Sequence, residues 1–353
     1  MDHKVGIIGR FGFGKNLLNG QTIKTKTLVN ALSSRLGAEK LHLLDTYGGM
    51  KMLLRLPFQC AYAMSRCKDL VILPAYKGIR VIAPMLVFLN IFYGRKLHYV
   101  VIGGWLCNLL QGKPVLARCL KRFDVIYAET TSMKRNLEAL GFRNVVWMPN
   151  FKALDVQKTD SREQRDEEHC RLCTFSRVMR EKGIETAVKA VKMVNERSGR
   201  DLYCLDIYGQ VDPAQQKWFA QLQKSFPPFV RYCGEVPFDR SVSVLCRYDA
   251  LLFPTAFYTE GIPGTVIDAY AAGIPVIASE WENYSDIIDE ETGIGYPFGE
   301  PEGLSRTLLD LEGNTEKLKT MREACIRKAY DFLPEAGIRV LLSRLDAMDC
   351  GEI

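Results

Sequence analysis

The stretch that decides the fold is "LLFPTAFYTEGIPGTVIDAYAAGIPVIAS", Leu251–Ser279. It begins with a compact apolar run, passes through a loop rich in glycine and proline, and ends with a second apolar run. Between the loop and the second run, the pattern predicts a helix that begins near Gly264, after Pro263, and ends at Gly273 before Pro275. The stretch therefore predicts a strand, a loop, a helix and a strand, which is the repeating unit of a parallel sheet.

The same alternation extends in both directions along the chain. Before it lie "KVGIIG", "KLHLLD", "DLVILP", "LHYVVIG", "DVIYAE" and "NVVWMP"; around it lie "RLCTFSRV", "DLYCLDIYG", "VRYCGEV", "DALLFPT" and "PVIAS". Each run has the length and apolar character of a buried strand. The polar segment 152–169 interrupts the pattern and predicts a linker. We therefore predict an α/β protein with two Rossmann-like, doubly wound domains that bind ligand in a central cleft.

Charge is distributed unevenly between the two halves. Residues 1–150 carry 22 Lys and Arg against 7 Asp and Glu, a net charge of +15, whereas the remaining residues carry 25 against 34, a net charge of −9. A basic half favours anionic partners such as phosphate, lipid head groups or nucleic acid, and the alternative is a solvated basic surface.

Targeting and membrane signals are weak. The chain starts with four residues and then the first apolar run, and its 11 scattered cysteines suit a reducing cytoplasm. Cys170 and Cys173 lack a second ligand pair at zinc-site spacing, so we expect structural cysteines.

The longest apolar segment, Val81–Tyr93, is shorter than the roughly 20 residues of a membrane span. We expect a buried helix; the alternative is a helix at a membrane interface beside Arg80 and Arg95.

The loop and helix start in Leu251–Ser279 carry the strongest chemical signal. Gly261 and Gly264 permit close backbone approach to a ligand, and the free amides near Thr265 and Val266 predict an anion site. Glu260 precedes this site and Asp268 follows it; carboxylates accept hydrogen bonds from sugar hydroxyls. The pattern fits a nucleotide sugar, with its diphosphate between two sugar rings. The donor-binding residues predicted in this segment are Glu260, Gly261, Ile262, Pro263, Gly264, Thr265, Val266 and Asp268.

A second signal lies in "FSRVMREKGI", where Arg177 ends a strand and Lys182 precedes a helix. A departing diphosphate gains negative charge, which cations must offset in an enzyme without metal. We predict that Arg177 and Lys182 bind the diphosphate and act with Glu260 in catalysis. Arg180 is a weaker candidate for this role, and a solvated basic loop is the structural alternative.

A third signal, "GRFGFGKN" at Gly9–Asn16, nearly matches a phosphate-binding P-loop. A P-loop would need Ser or Thr in place of Asn16, and an Asp at the end of a second apolar strand; neither "VILPAY" nor "VIYAE" supplies it cleanly. We interpret this loop as one whose glycines bring the backbone close to an anion, and in which no Mg²⁺ is bound.

Over about residues 171–298 the chain resembles GT-B glycosyltransferases of the retaining group often called family 4. The specific segment is "EGIPGTVIDAYAAGIPVIAS", and "FSRVMREKG", "LDIYGQ", "VRYCGEV" and "TGIGYPF" support it. The resemblance implies that Glu260 contacts the donor sugar and Asp268 the ribose, where the family usually has Glu. It also implies that Arg177 and Lys182 bind the pyrophosphate. Gly209 in "LDIYGQ" and Val236 in "VRYCGEV" complete the predicted donor site.

The first half resembles the family more loosely. "VIGGWL" matches a strand end that bears a histidine in many members, but here it has Gly103 and Gly104, which we assign to the acceptor side. The resemblance also implies an acceptor-side role for the glycine loop with Gly12, Gly14 and Lys15. His98 lies at the opposite end of that strand, so no catalytic histidine is carried over. The predicted domains are 1–160 for the acceptor and 161–333 for the donor, followed by a helix at 334–353 that returns to the first domain.

Together these features predict a retaining hexosyltransferase of polysaccharide biosynthesis. It would move a sugar from a nucleoside-diphosphate sugar to an anionic or lipid-linked glycan, with no essential metal, no other cofactor and no nucleic acid partner. We expect it in the cytoplasm, with contact to the inner face of the membrane left open. The alternatives are a non-catalytic nucleotide-sugar-binding protein of the same fold and a P-loop NTPase.

Overall fold

The computed structural model describes residues 4–15, 20–157, 169–312 and 314–345. Contacts divide the chain into two compact units: Met1–Ala153 with Phe332–Ile353, and Leu154–Asp331. Asn16, most of the predicted linker and the last eight residues of the predicted C-terminal helix lie outside the described residues.

The first unit is built on a six-stranded parallel sheet in the order β2-β1-β3-β4-β5-β6. Its strands are β1 (Lys4–Gly9), β2 (Leu41–Asp45), β3 (Cys67–Ile72), β4 (Lys96–Val100), β5 (Val125–Ala128) and β6 (Val145–Trp147). Its helices are α1 (Gly20–Leu36), α2 (Gly49–Arg66), α3 (Tyr76–Tyr93), α4 (Leu106–Leu110), α5 (Pro114–Leu120), α6 (Thr131–Ala139) and, from the end of the chain, α14 (Pro334–Leu342).

Two apolar layers cover this sheet. One contains side chains of α1 and α14, and the other contains side chains of α2, α3 and α5. Strand order reverses beside β1, which pairs with β2 on one side and β3 on the other. Because all strands are parallel, the loops that follow β1 and β3 emerge at one edge, where ligands bind in such sheets.

The second unit has a six-stranded parallel sheet in the order β12-β11-β10-β7-β8-β9. Its strands are β7 (Cys170–Phe175), β8 (Tyr203–Tyr208), β9 (Val230–Gly234), β10 (Ala250–Phe253), β11 (Val276–Glu280) and β12 (Gly293–Pro297). Its helices are α7 (Ile184–Ser198), α8 (Gln216–Gln223), α9 (Ser241–Leu245), α10 (Gly264–Ala271), α11 (Pro301–Asp310), α12 (Glu316–Thr320) and α13 (Arg322–Ala329).

The strand order of the second unit is that of a Rossmann fold, with the reversal between β7 and β10. The predicted class, a doubly wound α/β protein, is therefore confirmed, and each predicted strand overlaps an observed one. The sequence pattern missed β12, because Gly293 and Gly295 break its apolar run. Gly293 is needed for pairing, since an added Cβ would lie 2.4 Å from the carbonyl oxygen of Val276.

Helix α10 follows the sequence expectation. It begins at Gly264 after Pro263, and Gly273 beyond its end has φ +67°, a conformation that favours glycine. The buried residues of α10 extend from Val266 to Ala271, so the helix packs deeply into the unit.

Helix α3 corrects a sequence expectation. The apolar segment Val81–Tyr93 does form a helix, but only one face of that helix is buried, through Ile79, Ile82, Ala83 and Leu86. Among the described residues, α3 is also the one helix long and apolar enough to cross a membrane by length and composition. Its buried face packs on the sheet as a covering helix does.

The cysteines of the CxxC sequence lie in β7, where Cys170 is 8% exposed and Cys173 is fully buried. Side chains three residues apart in a strand point to opposite faces, so these two sulfurs cannot hold one metal ion. Neither cysteine forms a disulfide bond.

Candidate functional site

The second unit brings two predicted residues together at its switch point. Lys182 ends a short 3₁₀ helix, Arg180–Lys182, in the loop after β7, and Glu260 lies in the loop after β10. Lys182 Nζ donates a hydrogen bond of 2.5 Å to Glu260 Oε2. The side chains are 17% and 20% exposed, so both remain open to a ligand.

Backbone contacts hold these two loops close together. The Ala256 N–H donates to the Glu181 carbonyl oxygen at 2.8 Å. Gly183 has φ +70°, and an added Cβ would lie 1.8 Å from the Pro254 carbonyl oxygen. Since only glycine permits this approach, Gly183 is a structural requirement of the Lys182–Glu260 pair.

Polar and aromatic neighbours fix the two charged side chains. Asn283 Nδ2 donates to the Glu260 carbonyl oxygen at 2.7 Å, and Thr255 Oγ1 lies 3.4 Å from Glu260 Oε2. Lys182 Nζ lies 5.5 Å and 5.2 Å from the ring centres of Phe253 and Phe257, within cation–π range. The pair therefore occupies a shaped site rather than a solvated surface.

Two acidic residues beside these loops have shifted pKa values. A hydrogen bond from Gln215 Nε2, 2.8 Å from Glu181 Oε2, lowers the pKa of that exposed carboxyl. Burial raises the pKa of Glu282, whose N–H donates to the Tyr258 carbonyl oxygen at 3.0 Å. Glu282 is thus the more readily protonated carboxyl of the two.

The start of α10 offers a site for an anion. The first amides of a helix have no partner within it, and here these belong to Gly264 and Thr265, which are partly exposed. Val266, which we expected to contribute, instead donates its N–H to the Pro263 carbonyl oxygen at 3.0 Å. Thr265 Oγ1 is buried and has no hydrogen-bond partner within the described ranges.

Other predicted residues of the Leu251–Ser279 stretch are buried. Gly261, Ile262 and Pro263 shape the loop beneath the surface. Asp268, the fifth residue of α10, is only 3% exposed. The contact of Asp268 with a ribose stays a prediction. That contact requires a ribose hydroxyl that reaches the nearly buried carboxylate.

Arg177 lies in the same β7 loop but has a different partner. Arg177 Nη1 is 3.6 Å from Asp212 Oδ2 and its side chain is 52% exposed. Arg180, the weaker candidate, lies 4.9 Å from the Trp218 ring centre and 3.8 Å from Glu185 Oε2. Arg180, at 59% exposed, is as open to solvent as Arg177, so what separates the two is the ring contact of Arg180 with Trp218.

Gly209 follows β8 and has a packing role. It has φ +130°, and an added Cβ would lie 1.8 Å from the Ser176 carbonyl oxygen. Its N–H donates to the Gly234 carbonyl oxygen, and its own carbonyl accepts from the Tyr232 hydroxyl. A donor contact through these groups would compete with existing bonds. Val236, in the loop after β9, is half-buried, and its donor contact stays a prediction.

The glycine loop of the first unit is folded around a carboxylate that the sequence analysis missed. Asp45 ends β2, and its oxygens accept the N–H groups of Phe11 at 2.9 Å and Phe13 at 3.1 Å. The turn is closed by the Lys15 N–H on the Gly12 carbonyl, with Gly14 at φ +76°. The amides of Phe11 and Phe13 are thus already bonded to Asp45, which argues against a P-loop. The sequence feature that could have revealed this contact is the Asp that ends "KLHLLD".

The second acceptor-side loop is also held by a missed acid. Glu129 Oε2 accepts from the Gly103 N–H at 3.2 Å and from Lys24 Nζ at 2.8 Å, and Lys24 Nζ also donates to the Val101 carbonyl. Lys24 and Glu129 are 3% and 2% exposed. Lys24, in the first helix, is therefore buried with its charge paired. Gly104, the residue after Gly103, is also buried.

His98 is excluded from contact with substrate by burial. It is fully buried in β4, with Nδ1 3.0 Å from the Tyr127 hydroxyl and Nε2 3.1 Å from Asp69 Oδ1. Within the described ranges, no group of three or more His, Cys, Asp or Glu lies close enough to hold a metal ion.

Comparison with known proteins places this geometry in a class. The fold is that of GT-B glycosyltransferases: it matches HepE of Anabaena, solved with UDP-glucose, with a TM-score of 0.72 at 13% identity over 97% of this chain and 100% of that one. It also matches sucrose-phosphate synthase of Thermosynechococcus elongatus, with a TM-score of 0.75 at 15% identity over 97% and 98%.

The sequence of the second unit resembles a known family. Residues 169–314, which include Lys182 and Glu260, match the family described as Glycosyl transferases group 1. The chain is 26% identical over 184 residues to the amylovoran biosynthesis glycosyltransferase AmsK of Erwinia amylovora, covering 50% of this chain. That match spans 45% of AmsK, somewhat less than half its length.

These matches confirm the resemblance of residues 169–314 to group 1 glycosyltransferases and the GT-B fold of the chain. The finer assignment to family 4 and the roles of individual residues stay predictions.

Proposed function

We propose that this protein is a retaining glycosyltransferase that moves a hexose from a nucleoside-diphosphate sugar to a glycan or lipid-linked acceptor during polysaccharide biosynthesis. The observation that carries the proposal is the Lys182–Glu260 pair beside the start of α10, at the switch point of the second sheet. A cation, a carboxylate and free helix amides at one place match a diphosphate with a sugar attached.

The chemistry follows from the charges of the site. Glu260 accepts hydrogen bonds from donor sugar hydroxyls, while Lys182, Arg177 and the amides of Gly264 and Thr265 stabilise the diphosphate. The bond between the sugar anomeric carbon and the phosphate oxygen breaks, and a bond to the acceptor hydroxyl oxygen forms on the same face. The acceptor proton passes to a phosphate oxygen of the leaving diphosphate. No protein base and no metal ion is required in this scheme.

Two relatives guide the choice of substrates. HepE was solved with UDP and with UDP-glucose, so uridine diphosphate sugars are the first donors to test. AmsK is a glycosyltransferase of amylovoran biosynthesis, which supports a polysaccharide precursor as acceptor. We place the reaction in the cytoplasm, at the inner face of the membrane, where a lipid-linked acceptor would be reached.

The decisive experiment follows nucleotide release from a panel of nucleotide sugars in EDTA, with and without a lipid-linked glycan extract. We expect release from one donor, stimulated by the extract and abolished in Glu260→Gln. Glu302→Gln, which changes an exposed carboxylate at the first turn of α11, is the matched control and should retain activity. Nucleotide-sugar binding without release for every donor and acceptor would instead favour a non-catalytic binding protein.

A separate assay, with Mg²⁺ and without EDTA, tests the P-loop alternative. Magnesium-dependent hydrolysis of ATP or GTP that is lost in Lys15→Ala would contradict the transferase proposal. The bonding of the Phe11 and Phe13 amides to Asp45 leads us to expect no such activity.

A further inference from the structure

Helix α2 carries an exposed apolar row. Leu54, Phe58 and Tyr62 are 70%, 78% and 53% exposed. They are spaced four residues apart, so they line one side of the helix. The opposite side, with Leu56 and Cys60, is buried against the sheet. The row therefore faces away from the core of the first unit.

Helix α3 carries a second row of the same kind. Phe88, Ile91 and Phe92 are 61%, 67% and 74% exposed, and Val81, nearer the start of the helix, is 50% exposed. The buried side of α3 packs in the same apolar layer as α2, and the two helices contact each other. Both rows consequently belong to one outer surface of the first unit, which we name the aromatic face: Leu54, Phe58, Tyr62, Val81, Phe88, Ile91 and Phe92.

The aromatic face is unusually apolar for this chain. It holds seven of the sixteen large hydrophobic side chains that are exposed among the described residues. Single exposed apolar residues are ordinary, but a group on two adjacent helices marks an interaction surface.

Charge around the aromatic face has one sign. Neither α2 nor α3 contains Asp or Glu, whereas Arg55, Arg66, Lys77 and Arg80 are exposed on these helices. The Arg66 guanidinium lies 5.4 Å from the ring centre of Tyr62, so a cation is held at the edge of the face. A second copy of the chain would bring like charges together, while an anionic surface would neutralise them.

We propose that the aromatic face docks on a bilayer that contains anionic phospholipid, with the apolar side chains in the interface and the arginines and lysines at the head groups. Aromatic and aliphatic side chains flanked by basic residues are the features that bind such interfaces. The purpose of docking, access to a lipid-linked acceptor, rests on the proposed function, but the binding itself does not require transfer.

Vesicle flotation of the full chain tests the proposal. The vesicles are phosphatidylcholine alone, or phosphatidylcholine with phosphatidylglycerol. We expect binding to the anionic vesicles, weaker binding to the neutral ones, and release in high salt. In Phe58→Gln/Phe88→Gln the partition should fall by about tenfold or more, because two exposed rings that would enter the bilayer interface are lost. Tyr330→Gln, which alters a 58% exposed ring in the second unit, is the matched control and should bind normally.

Three results would overturn the proposal: no flotation with anionic vesicles, equal flotation of the double variant and the native chain, or self-association in solution that the double variant abolishes. Circular dichroism and binding of UDP-glucose check that the variant is folded. Since flotation is measured without donor, loss of transfer with intact flotation would contradict only the proposed function.

Discussion

Lys182 Nζ lies 2.5 Å from Glu260 Oε2, although the two residues are 78 positions apart in the chain. The pair joins the loops after β7 and β10 at the point where the strand order reverses. A partly exposed ion pair contributes little to stability, on the order of 1 kcal/mol or less. We infer that its value is functional, because each charge is held in place without donor and each can turn to a different part of the donor.

Lys182→Met and Glu260→Gln should each reduce kcat strongly, by about 10²- to 10³-fold, since each removes a group that acts on the reacting sugar phosphate. Thermal stability should change little. Steady-state rates of nucleotide release with a saturating donor check this, and differential scanning calorimetry supplies the control.

The double variant Lys182→Met/Glu260→Gln extends that test. Because the two groups act together, its loss should be smaller than the product of the single losses. If the loss in the double variant equals the product of the single losses, the two groups act independently. That result would contradict the inference that Lys182 and Glu260 act together.

The sequence predicted both residues as parts of the donor site, although not their ion pair, because each residue carries a local signal. Glu260 stands before a run of glycine, proline and a helix start, and Lys182 stands between a strand and a helix. Parallel strands place both loops at one edge of the sheet, so a correct fold class was enough to bring the loops near each other.

Other parts of the structure gave no local signal. Lys24 and Glu129 are 105 residues apart, and nothing in either neighbourhood distinguishes a buried lysine from a solvated one. The exposure of Phe58 and Phe92 depends on which helix face meets the sheet, and a nearly continuous apolar segment such as α3 does not specify that face. Long-range packing decides both features.

Arg177 and Arg180 can be separated by substitution. Arg177→Ala should weaken both donor binding and turnover, about tenfold or more, because its half-exposed guanidinium is available to a diphosphate. Arg180→Ala removes a side chain stacked near Trp218 and is the matched control. Isothermal titration with UDP and release rates with the preferred donor measure the effects; a larger loss in Arg180→Ala would reverse the assignment.

Gly14→Val tests the glycine loop of the first unit. Gly14 has φ +76° with no atom within 4 Å of an added Cβ, so the penalty is conformational, about 1–2 kcal/mol, and disturbs the turn at Lys15. We expect transfer to fall more than donor binding. Gly112→Val adds the same side chain in open space without a positive φ and should be neutral. Equal loss of binding and transfer in Gly14→Val would count against an acceptor-side role.

His42 should make stability depend on pH. Burial, followed by the nearby charges of Lys4 and Arg66, lowers the pKa of His42 below its ordinary 6.5. The unfolded chain therefore binds the proton first, and stability present above pH 6.5 is lost as pH falls towards the folded-state pKa. Urea unfolding from neutral to mildly acid pH should show this decline, and His42→Gln should reduce it. An equal decline in the variant would assign the effect to other groups.

Loss of one partner of the buried pair Lys24–Glu129 should lower the free energy of unfolding far more than removal of both charges together. Lys24→Met leaves the Glu129 carboxylate buried without its cation, which costs about 3–5 kcal/mol when one partner of a buried pair is lost. Lys24→Met/Glu129→Gln removes both charges, while the amide oxygen can still accept from the Gly103 N–H, so most of the stability should return. Urea unfolding of the two variants and the native chain measures this recovery. Because Glu129 also fixes the Gly103 loop, Lys24→Met should impair transfer more than UDP binding, and the double variant should recover both. A double variant no more stable than Lys24→Met would show that the charge itself, rather than its compensation, maintains this loop.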